Sequence, residues 1–388
     1  MKRYPSSRLV AEMASLLDKL RAAKPLPAQK AVNDSSLTLE QIVRMDRGAF
    51  FPLPPETITL MQGVDANETI HPEDILFFDT ETTGLSGGTG TVAFLVGCGI
   101  ISEEGLVVRQ FLMRDYNEEI FMLREFQTLL QRAKMIVTFN GASFDVPLLQ
   151  SRLTIHRMHR ETIFPLHLDV LHIARRVYKT RIGRCSLTSL EKQVFGEERE
   201  GDMPGAQVPE TYFKYLKTGN LAVLDPVLAH NVKDIVSLVR LLYTLASLHD
   251  NPLSAQHQED IFSLGKVYEK RGATETAKVC YRAVSAGPMQ TPAITRLANL
   301  SMRLRQDEEA ARLFEQLRVS GTAGAKVYIS LSKLYEHRFR QYDKALVIAK
   351  QGMLYCLECL PLEAAKRSAD YQDLSRRYQR LLRKAGGM

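Results

Sequence analysis

Asp79 and Glu81, separated only by Thr80, are the two side chains best placed to do chemistry. They follow Ile75-Leu76-Phe77-Phe78, an apolar run short enough to be a buried strand. Side chains two apart on a strand project from one face, so both carboxylates point the same way. Adjacent carboxylates repel each other unless a cation sits between them, and a hard divalent cation with oxygen ligands is the usual solution. The bland alternative is a pair of solvated acids at a strand end, and further acids in similar settings weaken it. Asp145 closes Asn140-Gly141-Ala142-Ser143-Phe144-Asp145, just after the strand-like Met135 to Phe139. Asp234 lies in His230-Asn231-Val232-Lys233-Asp234, inside a helical pattern running to about Leu248. His230 and Asp234 stand at i and i+4, so they share one helix face and can address one metal site.

Taken together, Asp79-Thr80-Glu81-Thr82-Thr83-Gly84-Leu85, Asn140 to Asp145 and His230 to Asp234 resemble the three motifs of DEDD exonucleases in the ribonuclease-H-like superfamily. The longer stretches Gly84-Leu85-Ser86-Gly87-Gly88-Thr89-Gly90-Thr91, His167-Leu168-Asp169-Val170-Leu171-His172, Cys185-Ser186-Leu187 and Gly201-Asp202-Met203-Pro204-Gly205 are similar to the bacterial YprB-type ribonuclease-H-like proteins, over roughly residues 71 to 250. The resemblance implies a metal-dependent 3′–5′ exonuclease that hydrolyses single-stranded nucleic acid by a two-metal mechanism. Asp79, Glu81, Asp145 and Asp234 would hold two Mg²⁺ or Mn²⁺ ions. His230 would orient or deprotonate the attacking water, with Glu81 beside it in the catalytic set. Thr82 and Leu85 would touch the terminal nucleotide, and Asn140 would help position loop and substrate. One departure stands out. These enzymes place a His five residues, or a Tyr four residues, before the last Asp. Here Ala229 is five before Asp234 and His230 four before, so the spacing belongs to one subgroup and the residue to the other.

The elements that must carry these residues can be read from periodicity. Strands are predicted near 75–79, 92–100 and 106–113, a helix near 118–131, and a strand at 135–139. Pattern alone gives an α/β domain; the resemblance implies a ribonuclease-H-like mixed sheet flanked by helices. Gly87-Gly88-Thr89-Gly90 lacks the Gly-Lys-Ser/Thr ending of a phosphate loop and reads as a hairpin connection. Before this domain, residues 1–70 read as an amphipathic helix at 8–23, a Pro-containing linker at 24–36, and a prolyl cluster of Pro52, Pro54 and Pro55. After it, His249 to Gln258 reads as a boundary, and residues 255–388 become wholly helical. Leu264, Gly265 and Tyr268, then Leu297 and Ala298, then Leu331 and Leu334 recur about every 34 residues, a spacing that resembles tetratricopeptide repeats. The helix from Pro361 onward would cap the stack.

Composition sets outer limits. With 388 residues, 45% hydrophobic and 24% charged, the chain can bury a core and suggests two domains. Five scattered cysteines argue against a disulfide framework, and no apolar run approaches a membrane span, so a cytoplasmic protein is expected. Cys356 and Cys359 form a lone pair without a second pair at zinc spacing. Residues 1–250 carry 28 Lys and Arg against 30 Asp and Glu, whereas residues 251–388 carry 23 against 14. A basic half fits a polyanionic partner or simply a soluble surface. Arg175, Arg176, Lys179, Arg181 and Arg184 either line a path for a phosphate backbone or form a solvated helix face. Asp169, between His167 and His172, is read as a helix cap or brace. Without Trp, and with Tyr and Phe scattered, no stacking platform is visible, and nothing reads a 2′-hydroxyl to choose DNA or RNA. Two other readings stand beside the exonuclease. One is an inactive binding platform that uses the repeats to hold a protein partner; the other is a structure-specific endonuclease on the same fold.

Overall fold

A computed structural model describes residues 24–25, 29–33, 36–63, 65–84 and 90–385. The chain divides into two compact units that meet at Ser254 and Ala255. In the first unit the described strands are β1 Lys24–Pro25, β2 Gln29–Asn33, β3 Ser36–Arg44, β4 Ile75–Thr82, β5 Ala93–Ser102, β6 Gly105–Leu112, β7 Met135–Thr138 and β8 Leu166–Asp169. They form one mixed sheet in the order β1-β3-β6-β5-β4-β7-β8, with β2 also paired to β3. The β4–β7 and β7–β8 pairs are parallel; the others are antiparallel.

The helices of this unit are α1 Pro55–Gln62, α2 Glu119–Leu130, α3 Asp145–Ile155, α4 Val170–Ile182, α5 Val208–Thr218 and α6 Asp225–Asp250, with a short helix and π-helical turn over residues 187–195. Strand β4 runs from the core into the open. Ile75 to Phe78 are buried, whereas Asp79 to Thr82 are half-buried. Phe78 meets Phe126 of α2 edge-on at 5.2 Å, burying two rings on one side of the sheet. Helix α6 lies tightly against β5 because β5 lacks side chains where the two meet. A Cβ on Gly97 would stand 1.9 Å from Asn231 Oδ1, and one on Gly99 would stand 2.6 Å from Ile235 Cγ2. Those two glycines therefore set how closely the helix carrying His230 and Asp234 approaches the strand beside Asp79.

The proposed linker at 24–36 is corrected by the structure. Within it, Lys24–Pro25 and Gln29–Asn33 are strands paired to β3, which itself pairs along β6 from Leu37↔Leu112 to Val43↔Leu106. The misreading came from weighing Pro25 and Pro27 as breakers; at a sheet edge, where β1 lies, a missing N–H is tolerated. Helix α1 likewise begins at Pro55, whose fixed φ suits a first helical position. The amphipathic pattern at 8–23 and the glycines at 87–88 lie outside the described residues.

The second unit is helical throughout its described residues. Helices α7 Gln258–Lys270, α9 Gln290–Arg303 and α11 Ala325–His337 each pair with a successor: α8 Thr274–Ala283, α10 Asp307–Val319 and α12 Tyr342–Cys359. Small residues admit the crossings, as at Gly265 against Tyr281 and Gly352 against Tyr328 and Leu374. The last long helix, α13 Ala369–Ala385, packs on α12. Half-buried Glu309 and buried Glu336 tie helices together. Glu309 accepts from Lys278 at 2.9 Å and Arg282 at 2.5 Å, and Glu336 from Arg377 at 2.8 Å, Arg380 at 2.6 Å and Lys384 at 2.8 Å. Part of this unit's surplus of cations is thus engaged internally. No helix among the described residues is long and apolar enough to cross a membrane, and all five cysteines are free.

Candidate active site

Three elements bring the predicted acids together. The open end of β4 supplies Asp79 and Glu81, the first residue of α3 is Asp145, and the second turn of α6 onward supplies His230 and Asp234. A β-bulge falls between Glu81 and Thr82, and such irregularities re-aim side chains at functional sites. Asp79, Glu81, Thr82, Asn140, Phe144 and Asp145 line one cleft of about 690 Å³.

Three of the four acids are each held through one carboxylate oxygen. Asn231 Nδ2 donates to Asp79 Oδ2 at 3.1 Å, and its Oδ1 accepts from Gln110 Nε2 at 2.9 Å, which fixes the amide's orientation. The Thr80 amide donates to Asp145 Oδ1 at 3.2 Å, and the Thr80 hydroxyl donates to the same oxygen. Arg199 Nη2 donates to Asp234 Oδ1 at 2.5 Å. The cluster is electrostatically tense. Burial raises Asp79 well above the usual carboxylate range, and Asp234, Asp145 and Glu81 add to the shift while Asn231 opposes it. Burial, with Asp234 and Asp145 close by, pushes Glu81 up to about 8. Burial also raises Asp145 and Asp234, opposed by Thr80 at the first and by Arg199 and His230 at the second. Crowded carboxylates of this kind are what a cation relieves.

The donors are all oxygens and several carry charge, which suits a hard divalent cation. Among the described residues no three His, Cys, Asp or Glu side chains close into a ready-made cage. At Asp234 the Arg199 guanidinium already takes one carboxylate oxygen. The residues fit a divalent ion provided that it is met by the second oxygen of Asp234.

His230 turns out to belong to a network that its motif does not reveal. Its Nδ1 lies 2.8 Å from Asp202 Oδ2, and its Nε2 lies 3.7 Å from Asp234 Oδ2. Arg199 Nη1 stands 3.4 Å from the same Nδ1, but an N–H cannot donate to an N–H, so the carboxylate is the partner. Asp202 also accepts from Arg199 at 2.9 Å and Lys233 at 3.1 Å. Burial works the other way, yet these bonds hold the Asp202 carboxyl down at about 2. Arg199 in turn is gripped by buried Glu191 through Nε at 2.7 Å and Nη2 at 2.6 Å, and Ser237 donates to the same carboxylate. Burial opposes the guanidinium's charge, but Glu191 and Asp234 drive its pKa upward.

Asn140 adopts a left-handed backbone, φ 65°, which Asn tolerates better than most side chains. Its amide donates to Asp169 Oδ1 at 2.9 Å and the Ala142 amide to Asp169 Oδ2 at 3.1 Å, while the Leu171 amide is capped by Asp169 Oδ1 at 3.1 Å. Asp169 thus braces the loop before Asp145 and caps α4. Thr82 Oγ1 donates to the Gly84 carbonyl at 2.8 Å, and Leu85 lies outside the described residues. In the basic run, Arg175, Lys179 and Arg184 are exposed, whereas Arg176 bonds the Met61 carbonyl and Arg181 reaches the Gln193 carbonyl at 3.3 Å. Asn231, Gln110, Glu191, Arg199 and Asp202 were not assigned roles from sequence. Asp202 lies in the Gly201 to Gly205 stretch and Asn231 in the His230 to Asp234 motif, and these two carried a local signal.

The model of an RNase_H superfamily family matches residues 76–246, the span that contains all four acids and His230. The chain is 31% identical over 310 residues to the Bacillus subtilis protein YprB, covering 77% of this chain and 75% of that one. It also aligns with a family B DNA polymerase from the hyperthermophilic archaeon Pyrobaculum calidifontis, at 12% identity and a TM-score of 0.36, over 64% of this chain and half of that one. With the strand-borne acid pair, the helix-borne third and fourth acids and the YprB match in place, the chain belongs to the RNase_H superfamily, in the family of YprB.

Proposed function

We propose that this chain is a metal-dependent 3′–5′ exonuclease acting on single-stranded nucleic acid. The observation that carries the reading is the convergence of Asp79, Glu81, Asp145 and Asp234, all buried enough to raise their pKa values, from three elements. A site without a cationic task has no reason to keep four carboxylates at that electrostatic cost. Bound by these four, two Mg²⁺ or Mn²⁺ ions would supply water activation and stabilise charge at the phosphorus and the leaving oxygen.

The chain's own residues do the rest. His230 Nδ1 donates to anionic Asp202, which leaves Nε2 on the Asp234 side, where it can meet the attacking water. Asp202 is a positioning residue, and Arg199 fixes both it and Asp234. This pairing accounts for the four-residue spacing from His230 to Asp234: one helix turn places the two side by side, and Asp202 sets the ring's rotation. Thr82 and Leu85 are assigned to the terminal nucleotide and Asn140 to positioning the loop and substrate; the nucleotide would enter the cleft lined by Thr82, Asn140 and Asp145.

One observation favours the platform reading: Arg199 already neutralises Asp234 without a metal. Two measurements separate the readings. With Mn²⁺, linear single strands should be degraded while circular single strands persist; cleavage of circles would make the enzyme an endonuclease. Mn²⁺ should also raise the melting temperature of wild type and not of Asp145→Ala. A chain that shows neither degradation nor Mn²⁺ stabilisation is the platform.

A further inference from the structure

A second depression adjoins the catalytic cleft. It has about 1150 Å³ of volume and is lined by Gly84, Tyr116, Pro209, Phe213, Lys214 and Lys217, with Glu210 as its acidic member. Gly84 also lines the cleft, and Gly205 of the cleft is followed by Ala206 of the groove, so the two run into one another. The rings are unusual for their exposure: Tyr116 is 49% exposed and Phe213 40%. A single exposed ring is ordinary. Two rings and two lysines around one groove that opens onto a carboxylate site are not.

These side chains sit on rigid supports. Helix α5 is anchored from behind by Tyr212, which is buried, stacks on Phe94 at 4.0 Å and donates its hydroxyl to the Met113 carbonyl at 3.0 Å. The opposite face of α5 therefore presents Phe213, Lys214 and Lys217 with little freedom to fold away. Tyr116 stands on a single turn whose amide is capped by Asp115 at 2.7 Å, next to Arg114 and Glu118 locked together at 2.9 Å. Phe144, 51% exposed, continues the series of rings into the cleft itself.

We infer that this groove holds the unpaired nucleotides that lead into the cleft, with bases stacked on Tyr116 and Phe213 and phosphates met by Lys214 and Lys217. The inference rests on the proposed exonuclease reading. Stacking on protein rings requires bases that are not already stacked in a duplex, and alternating rings and cations is the arrangement that single strands use. A duplex would offer the rings only sugar and phosphate edges.

The test uses the full chain in EDTA, so that nothing is cleaved, and a fluorescent strand of about twelve nucleotides as DNA and as RNA. Tyr116→Ala and Phe213→Ala should each weaken single-strand binding about tenfold, while Tyr116→Phe and Phe213→Tyr, which keep a ring, should retain it. The pair Lys214→Gln and Lys217→Gln should flatten the salt dependence of binding. Hydrolysis of a mononucleotide p-nitrophenyl ester with Mn²⁺, too short to reach the groove, should be unchanged in all of them. Unaltered affinity in both ring-removing variants, or an equal loss for single strands and blunt duplexes, overturns the groove. Absence of ester hydrolysis in wild type would count against the exonuclease reading, while the binding comparison still decides the groove.

Discussion

In the proposed reaction the chemistry turns on His230, and its partner decides what it can do. A ring whose Nδ1 proton is held by a carboxylate is fixed in rotation and in tautomer. Asp202→Asn keeps the shape but can present an N–H to Nδ1, which favours the other tautomer. The expected result is a loss of about 10²- to 10³-fold in kcat with KM little changed. His230→Ala should lose as much. If Asp202→Asn retains the rate, Asp202 does not position the base. Arg199 is different in kind. Removing it would leave Glu191 buried without its bidentate partner, so Arg199→Ala should destabilise the fold by about 3–5 kcal/mol, visible as an early urea transition.

At the level of elements, the sheet and α6 act as one device. Gly97 and Gly99 on β5 open the space that Asn231 and Ile235 fill, and Asn231 then reaches Asp79. Gly97→Ala should cost about 1–3 kcal/mol and also depress activity, because α6 must shift and take His230 and Asp234 with it. Unchanged activity in Gly97→Ala would show that the site tolerates movement of α6. These elements differ in how well they could be read from sequence. Strands β4 to β7 and helix α2 carry strong periodic patterns and fall within a few residues of expectation. Strand β1 contains Pro25 and β2 has few large apolar residues, and only their pairing to β3 shows them to be strands. The acids of the cleft were visible because each sits in a motif. The Arg199–Asp202–Glu191 network was not, since Arg199 and Asp202 are close in sequence but reach Glu191, His230 and Asp234 only through the folded structure. The same holds for Tyr116 and Phe213, which are scattered in sequence and meet only around one groove.

For the molecule as a whole, the ion pairs of the second unit predict a response to acid. In the second unit, burial works the other way, but Arg380 and Lys384 hold Glu336 at about 2 against an ordinary 4.5. A carboxyl lowered on folding stabilises fully above its unfolded pKa, and that contribution is lost as pH falls from about 4.5 towards 2. After allowance for solvent around Arg380 and Lys384, this amounts to roughly 2 kcal/mol. Thermal melts of the full chain should show the helical unit losing stability across that window, with the slope reduced in Glu336→Gln. A helical transition equally pH-dependent in that variant would assign the loss to other groups, Glu309 among them.

The most direct test of metal-dependent exonuclease action is digestion of a 5′-labelled single strand by wild type and by Asp79→Asn, with Mn²⁺ and with EDTA. A ladder shortening from the 3′ end, abolished by EDTA and slowed about 10³-fold or more in Asp79→Asn, is the predicted result. A ladder that persists in Asp79→Asn, or a wild type that leaves both DNA and RNA intact, would contradict the account.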